Sequence, residues 1–310
     1  MAVTGLSIKA PALFAGAFFC TCGWRYHSGL VLLSGAAVTV ETSILPAIEG
    51  ARPLKVRLAT GGDERHDLVI EETPVALVDN GVSHTVMLAT PYDLEDFALG
   101  FSLSEGILTS TDELFGLETE LLCGGIEIDM HIAGERFFAL KERRRNLAGR
   151  TGCGLCGVDS LGALRTELPD APPGVAVSLD AIEMALANLP AAQRLFRDTG
   201  GAHGAAWVAA DGTLGAVRED VGRHNALDKL LGALARPGGA NIATGFVLVT
   251  SRASYEMVAK VATCGGSMLV AVSAPTTLAV QLAERCGLTL MGFARPGRAV
   301  VYSHPWRILG

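Results

Sequence analysis

From about residue 205 to residue 303 the chain alternates short apolar runs with amphipathic stretches, and this rhythm restricts the fold more than any other feature of the sequence. Strands are expected at 205–210 and 213–219, paired as a hairpin across Asp211-Gly212, then at 245–250, 268–273, 288–293 and 299–303. Helices fall between them at 225–235, 255–263 and 277–286, after an earlier one near 179–189. Strand–helix–strand repetition implies a largely parallel sheet with helices on its faces. The last two strands are joined by Ala294-Arg295-Pro296-Gly297-Arg298.

A second, smaller α/β unit precedes this one. Residues 73–79 and 85–89 read as strands around an Asp79-Asn80-Gly81 turn. Asp93 opens a helix over 94–104, in which Leu94, Phe97, Ala98 and Phe101 recur at helical spacing. Residues 125–132 alternate as a half-buried strand. The polar, glycine-punctuated stretch 143–159 reads as a connector. The expected organisation is an atypical N-terminal extension (1–48), a small α/β domain (49–145), a mobile loop and linker (146–165) and a larger α/β domain (166–310).

Composition narrows the function. The 310 residues are 49% hydrophobic and 18% charged, with a formal net charge of −7, which excludes a disordered chain and argues against a nucleic-acid binder. Mean hydropathy is +0.36, but the uncharged stretches near the N-terminus, 10–24 and 27–40, are short and rich in small residues, so no membrane span is expected. Seven sparse cysteines fit a reducing compartment. The first residues imitate an export signal, yet Phe18-Phe19 before Cys20 spoils a cleavage site, and an extension is the better reading. Charge is unevenly spread. Residues 63–129 carry sixteen acids and one base, whereas 285–310 carry four arginines and no acid, so the basic regions can face an anion that the net charge conceals.

The densest local signal is Thr151-Gly152-Cys153-Gly154-Leu155-Cys156-Gly157. Two thiols at this spacing can share a metal, close a small disulfide or act in succession on sulfur. A Cys₄ zinc site needs a second such pair, and there is none. Glycines on both sides make a loop suited to a thiol that visits two partners. Nearby Arg143, Arg144, Arg145 and Arg150 favour the thiolate. His203 stands in a glycine-rich turn before a strand. In zinc deaminases such a histidine is followed two residues on by a glutamate, but Ala205 stands there, which disfavours that chemistry. The polar run from Arg218 to Lys229 can bind a ligand or interlock as a structural network. Residues 250–254, 273–276 and 293–298 lie at strand C-terminal ends, where open α/β sheets bind ligands and where helix N-termini attract anions. No Walker A or Gly-x-Gly-x-x-Gly motif is present.

Taken in order, the Cys-Gly-Leu-Cys-Gly loop, Thr199-Gly200-Gly201-Ala202-His203, the run Glu219-Asp220-Val221-Gly222-Arg223-His224-Asn225-Ala226, Ser251-Arg252, Ser273-Ala274-Pro275-Thr276 and Gly292-Phe293-Ala294-Arg295 resemble the formate dehydrogenase accessory sulfurtransferase family (FdhD) over roughly residues 50–310. The resemblance implies a cytidine-deaminase-like three-layer α/β/α main domain without zinc chemistry or any other metal site of its own. It implies a cytoplasmic homodimer that takes sulfur from a cysteine desulfurase as a persulfide and passes it to molybdenum held by two molybdopterin guanine dinucleotides, serving formate dehydrogenase. Cys153 matches the persulfide carrier, and Phe293, Ala294, Arg295, Pro296, Gly297 and Arg298 match the cofactor-binding stretch. Cys156 relays or resolves the sulfur. Two other classes remain: a molybdenum-cofactor-binding chaperone with passive thiols, and a zinc nucleoside deaminase-like enzyme.

Overall fold

The computed structural model describes residues 48–148 and 168–310. Of the expected N-terminal extension only Ile48 falls within it, and the loop carrying Cys153 and Cys156 lies outside the described residues.

The smaller unit begins with an antiparallel hairpin of β1 (Ala51–Val56) and β2 (Arg65–Ile70). It continues into β3 (Thr73–Asp79) and β4 (Val82–Ala89), which turn over Asn80 and Gly81. Both turn residues have positive φ (47° and 75°), the twist that a two-residue hairpin demands and that Asn-Gly readily supplies. The Asn80 amide also pairs with the backbone of Ile132, donating to its carbonyl at 3.0 Å and accepting from its N–H at 2.9 Å. Helix α1 (Leu94–Ser104) then precedes β5 (Leu114–Leu122), β6 (Gly125–Ile132) and α2 (Gly134–Ala148). The sheet order is β4-β3-β6-β5, with β3 and β6 parallel, and its core gathers Val75, Leu77, Phe97, Phe101, Ile128 and Met130.

One expectation is corrected here. The connector placed at 143–159 does not start at residue 143, because α2 runs through Ala148. Glycine and proline are absent from Glu135 to Ala148, strong helix formers fill that interval, and Phe137 and Leu140, one turn apart, pack on the core.

In the larger unit β7 (Val177–Ser178) leads into α3 (Leu179–Ala192), capped by Ser178, whose hydroxyl accepts from the Ala181 N–H at 3.1 Å. There follow α4 (Arg194–Thr199), β8 (His203–Ala209), β9 (Leu214–Asp220), α5 (Arg223–Ala235), β10 (Gly245–Val249), α6 (Tyr255–Thr263), β11 (Met268–Ala271), α7 (Thr277–Cys286), β12 (Thr289–Arg295), β13 (Arg298–Ser303) and the short β14 (Ile308–Leu309). The sheet order is β13-β12-β11-β10-β8-β9. Helix α3 covers one face, while α5, α6 and α7 cover the other, which makes three layers. Every residue of β10 and β11 is buried, as double coverage requires.

The sheet is mixed rather than largely parallel. Only the neighbouring pairs β10–β11 and β11–β12 are parallel, and each edge is an antiparallel hairpin. The physical reason is connection length: a parallel step needs a crossover of a dozen residues or so, and the tight turns at Asp211-Gly212 and Pro296-Gly297 cannot make one.

The two units are fastened through α1 and α5. They cross at Gly100 and Gly232, where an added Cβ would strike the backbone carbonyl of Asp228 or of Asp96 respectively. Around this crossing Arg218 bridges Asp96 (2.7 Å) and Asp93 (3.1 Å), so Asp93 stands at the start of α1 without capping it. Part of the acidity of the smaller unit is therefore neutralised by arginines of the larger one.

Candidate functional site

The site forms where β10, β11 and β12 end. Thr250, Val272 and Ala294 stand at those carboxyl ends, and antiparallel β8 starts beside them at His203. Above them lie α3, its terminal kink and α4. The space between is a cavity of about 600 Å³, with Leu186, Leu189, Pro190 and Phe196 on the helical side and His203, Thr250, Arg295 and Pro296 on the sheet side. A crevice outside the carboxyl ends of the strands is where α/β sheets hold ligands, and its size lies in the ordinary range for small-molecule sites.

Local sequence explains each wall. Gly200 closes α4 in the left-handed conformation (φ 68°), with its N–H on the Phe196 carbonyl at 2.7 Å, which lets the chain reverse into β8. Glu219 receives the free N–H groups of Leu195 and Phe196, both at 2.8 Å, fixing the start of α4. Thr250 locks β10 to β8, its hydroxyl accepting from the Gly204 N–H at 2.9 Å. Phe293 has φ 52°, uncommon for a bulky residue, while its N–H donates to Ser273 at 3.0 Å. A kink there breaks strand alternation just before Ala294 and Arg295 reach the cavity.

Of the six residues matched to cofactor binding, Ala294, Arg295 and Pro296 line the cavity. The other three border it in sequence without lining it. Phe293 lies beneath the Arg298 guanidinium, 5.6 Å from ring centre to carbon, and the Gly297 N–H donates to Glu183 at 3.0 Å. Cys153 lies outside the described residues.

The His203 side chain makes no hydrogen bond to any described residue, and burial, reinforced by the Arg223 charge, pushes its pKa below the ordinary value. A neutral imidazole at this wall can donate or accept one hydrogen bond. Ala205, where a deaminase would carry its glutamate, is buried in the core. Among the described residues no three His, Cys, Asp or Glu side chains converge on a point that could hold a metal.

The polar run from Arg218 to Lys229 resolves largely into structure. Asp220 and Lys229, both fully buried, pair at 2.7 Å, and Asp220 also accepts from the backbone N–H groups of Thr90 (2.9 Å) and Gly222 (2.8 Å). Lys229 donates to the Thr90 carbonyl at 2.9 Å, and Asn225 donates to Leu88 (2.8 Å) and to Asp220 (3.0 Å). Asp228 meets Lys260 at 2.9 Å and Ser104 at 2.7 Å. Arg223 and His224 stand apart from this network, His224 pairing with Glu256 at 3.0 Å. Arg307 likewise leaves the set of anion-facing arginines. Its guanidinium donates to Pro172, Pro173, Gly287 and Thr289 at 2.7–3.0 Å. At α7 the Thr276 hydroxyl caps its own helix through the Ala279 N–H at 3.3 Å.

Sequence reasoning missed the helical wall, above all Gln193. The only signal was Pro190, which marks where α3 begins to end, and nothing in the local sequence indicated that the residues beyond it turn back over the sheet.

Together these features define a two-unit α/β protein with a cavity at the carboxyl edge of a three-layer domain. The chain belongs to the FdhD/NarQ family, whose model matches residues 70–309. It is 56% identical over 242 residues to the sulfur carrier protein FdhD of Cupriavidus necator, covering 78% of this chain and 84% of that one. It also superposes, with a TM-score of 0.63 and 26% identity, on the crystal structure of a protein from Desulfotalea psychrophila described as a formate dehydrogenase accessory protein, covering 84% of this chain and 98% of that one. No helix among the described residues is long and apolar enough to cross a membrane.

Proposed function

We propose that this protein is a sulfurtransferase that carries sulfur for formate dehydrogenase maturation in the cytoplasm. The Cys153 thiolate attacks the terminal sulfur of a cysteine desulfurase persulfide. A new sulfur–sulfur bond forms on Cys153 and the desulfurase leaves as its thiolate. The sulfur–sulfur bond then breaks, Cys153 leaves as its thiolate, and the terminal sulfur passes to the molybdenum of Mo-bis(molybdopterin guanine dinucleotide), the substrate, whose reduced metal supplies the two electrons that take the sulfur to sulfide before the cofactor enters formate dehydrogenase. A second copy of the chain completes the working unit.

The observation that carries this reading is the cavity at the carboxyl edge, where Ala294, Arg295 and Pro296 of the cofactor-matched stretch meet His203. It accompanies membership of the family and 56% identity to a sulfur carrier. Arg295 is exposed at the rim with no ion pair to a described residue, as a group awaiting a phosphate would be. The apolar helical wall suits a nucleotide base, and neutral His203 can hold a polar group of the ligand. Replacing Cys153 by Ser in the full chain should abolish formate dehydrogenase maturation while leaving the melting temperature unchanged. Normal maturation with that variant would refute the assignment.

A further inference from the structure

The four-stranded sheet of the smaller unit has a covered face and an open one. Val75, Leu77, Ile128 and Met130 join Phe97 and Phe101 of α1 in the core, so the alternate residues of each strand point the other way. Register lines these up across the open face. Val86 stands opposite Ala76, Ala76 beside Glu127, and Glu127 opposite Glu120. Leu88 stands opposite Pro74, and Glu118 opposite Asp129. The face is therefore divided. Its β4–β3 half is apolar, with Val86 61% and Leu88 54% exposed. Its β6–β5 half carries four acids, and neither strand contains a lysine or arginine.

Both halves cost the chain something when it stands alone. Large apolar side chains meet water on one side. On the other, two like-charged pairs lie directly across a strand ladder, an arrangement that destabilises a sheet. None of the four acids forms an ion pair with a described residue, and Asp129 has only the Gly81 N–H, at 3.2 Å. An exposed apolar strip bordered by uncompensated acids fits a protein surface that pairs apolar groups with lysines and arginines. A second copy of this chain does not supply one: the same face in two-fold contact would set acids against acids or against the apolar half. Nucleic acid is repelled by the same charge.

We propose that this open face is where the sulfur donor docks, a cysteine desulfurase that presents a basic surface. This rests on the proposed function, which requires such a donor, and adds the surface that receives it. Strand β6 leads directly into α2, and Cys153 follows the last residue of α2 by five positions in the sequence. The cavity at the carboxyl edge, by contrast, is lined by residues of the larger unit. Donor and acceptor of the sulfur thus engage different units of the chain.

The test is calorimetric binding of the source organism's cysteine desulfurase to the full chain at low and high salt, as wild type, as the double variant Glu120→Gln with Glu127→Gln, and as Leu88→Asp. Wild-type affinity should fall with salt. The double variant should bind at least about tenfold more weakly with a shallower salt dependence, and should melt no lower than the wild type because a repulsion is gone. L88D should also bind at least about tenfold more weakly. All three proteins should load Cys153 equally from glutathione persulfide, which exchanges sulfur without docking. Wild-type desulfurase affinity in either variant would overturn the proposal, as would a loss confined to formate dehydrogenase binding. So would a wild type that glutathione persulfide loads but the desulfurase does not bind. A wild type that takes sulfur on Cys153 from neither donor would instead overturn the sulfur-carrier reading beneath it.

Discussion

The polar run from Arg218 to Lys229 and the cavity wall of Gln193, His203 and Arg295 use similar side chains, yet the first closes on itself and the second stays open. Asp220, Asn225, Asp228 and Lys229 are buried and matched partner for partner, and Thr90, Leu88 and Ser104 of the smaller unit are among those partners. Gln193, His203 and Arg295 bond to none of the described residues through their side chains. A dense polar motif therefore had two possible meanings, and the difference lies in satisfaction rather than composition. Satisfied groups fasten the two units; the open ones at Gln193, His203 and Arg295 line the cavity where the ligand is proposed to bind.

The comparison breaks most visibly at Lys229. Substitution by Met keeps the length but leaves Asp220 buried without its countercharge. Urea denaturation should show a loss of about 3–5 kcal/mol, and a loss below about 1 kcal/mol would mean the pair is not what fastens the units. Arg295→Ala should do the reverse. Stability should stay within about 0.5 kcal/mol, as expected for an exposed side chain without an ion pair. Affinity for guanosine diphosphate should fall about ten- to hundredfold. Equal affinity would detach the rim from the ligand.

The smallest effect is expected at Glu256, whose pKa is held down at about 2 chiefly by its hydrogen bond to His224. A carboxyl depressed on folding contributes stability that is present above its unfolded pKa, near 4.5, and is lost as pH falls towards 2. Between those limits the wild type should weaken with acid more steeply than Glu256→Gln. At neutral pH the two should differ by less than about 1 kcal/mol, because the pair is partly exposed. Parallel acid curves from chemical denaturation would remove His224–Glu256 from the structural account.

Much of this was legible in the sequence because periodicity and turn chemistry are local. The Asn80-Gly81 hairpin, the amphipathic spacing of α1 and the buried strands β10 and β11 are properties of short windows. What was not legible depends on groups far apart in the chain. The crossing of Gly100 on Gly232, the fit of Lys229 between Asp220 and Thr90 and the seat of Gln193 against Gly204 join residues that sequence spacing does not relate. Arg307 shows the same limit. Its charge was visible, but its four carbonyl and hydroxyl acceptors were not, so charge density alone overstated the anion-facing surface. The cavity stretch 293–298 could be proposed from its strand-end position and its resemblance, whereas its split into three lining and three bordering residues needed the kink at Phe293.

The central claim is that Cys153 carries sulfur. Its most direct measurement is to incubate the full chain with a cysteine desulfurase and cysteine, digest it without reductant, and locate the mass of one added sulfur atom by peptide mass spectrometry. The account predicts that increment on the peptide containing Cys153, and its disappearance there in Cys153→Ser. An unmodified Cys153 peptide under conditions where the desulfurase turns over, or sulfur found only on other cysteines, would contradict it.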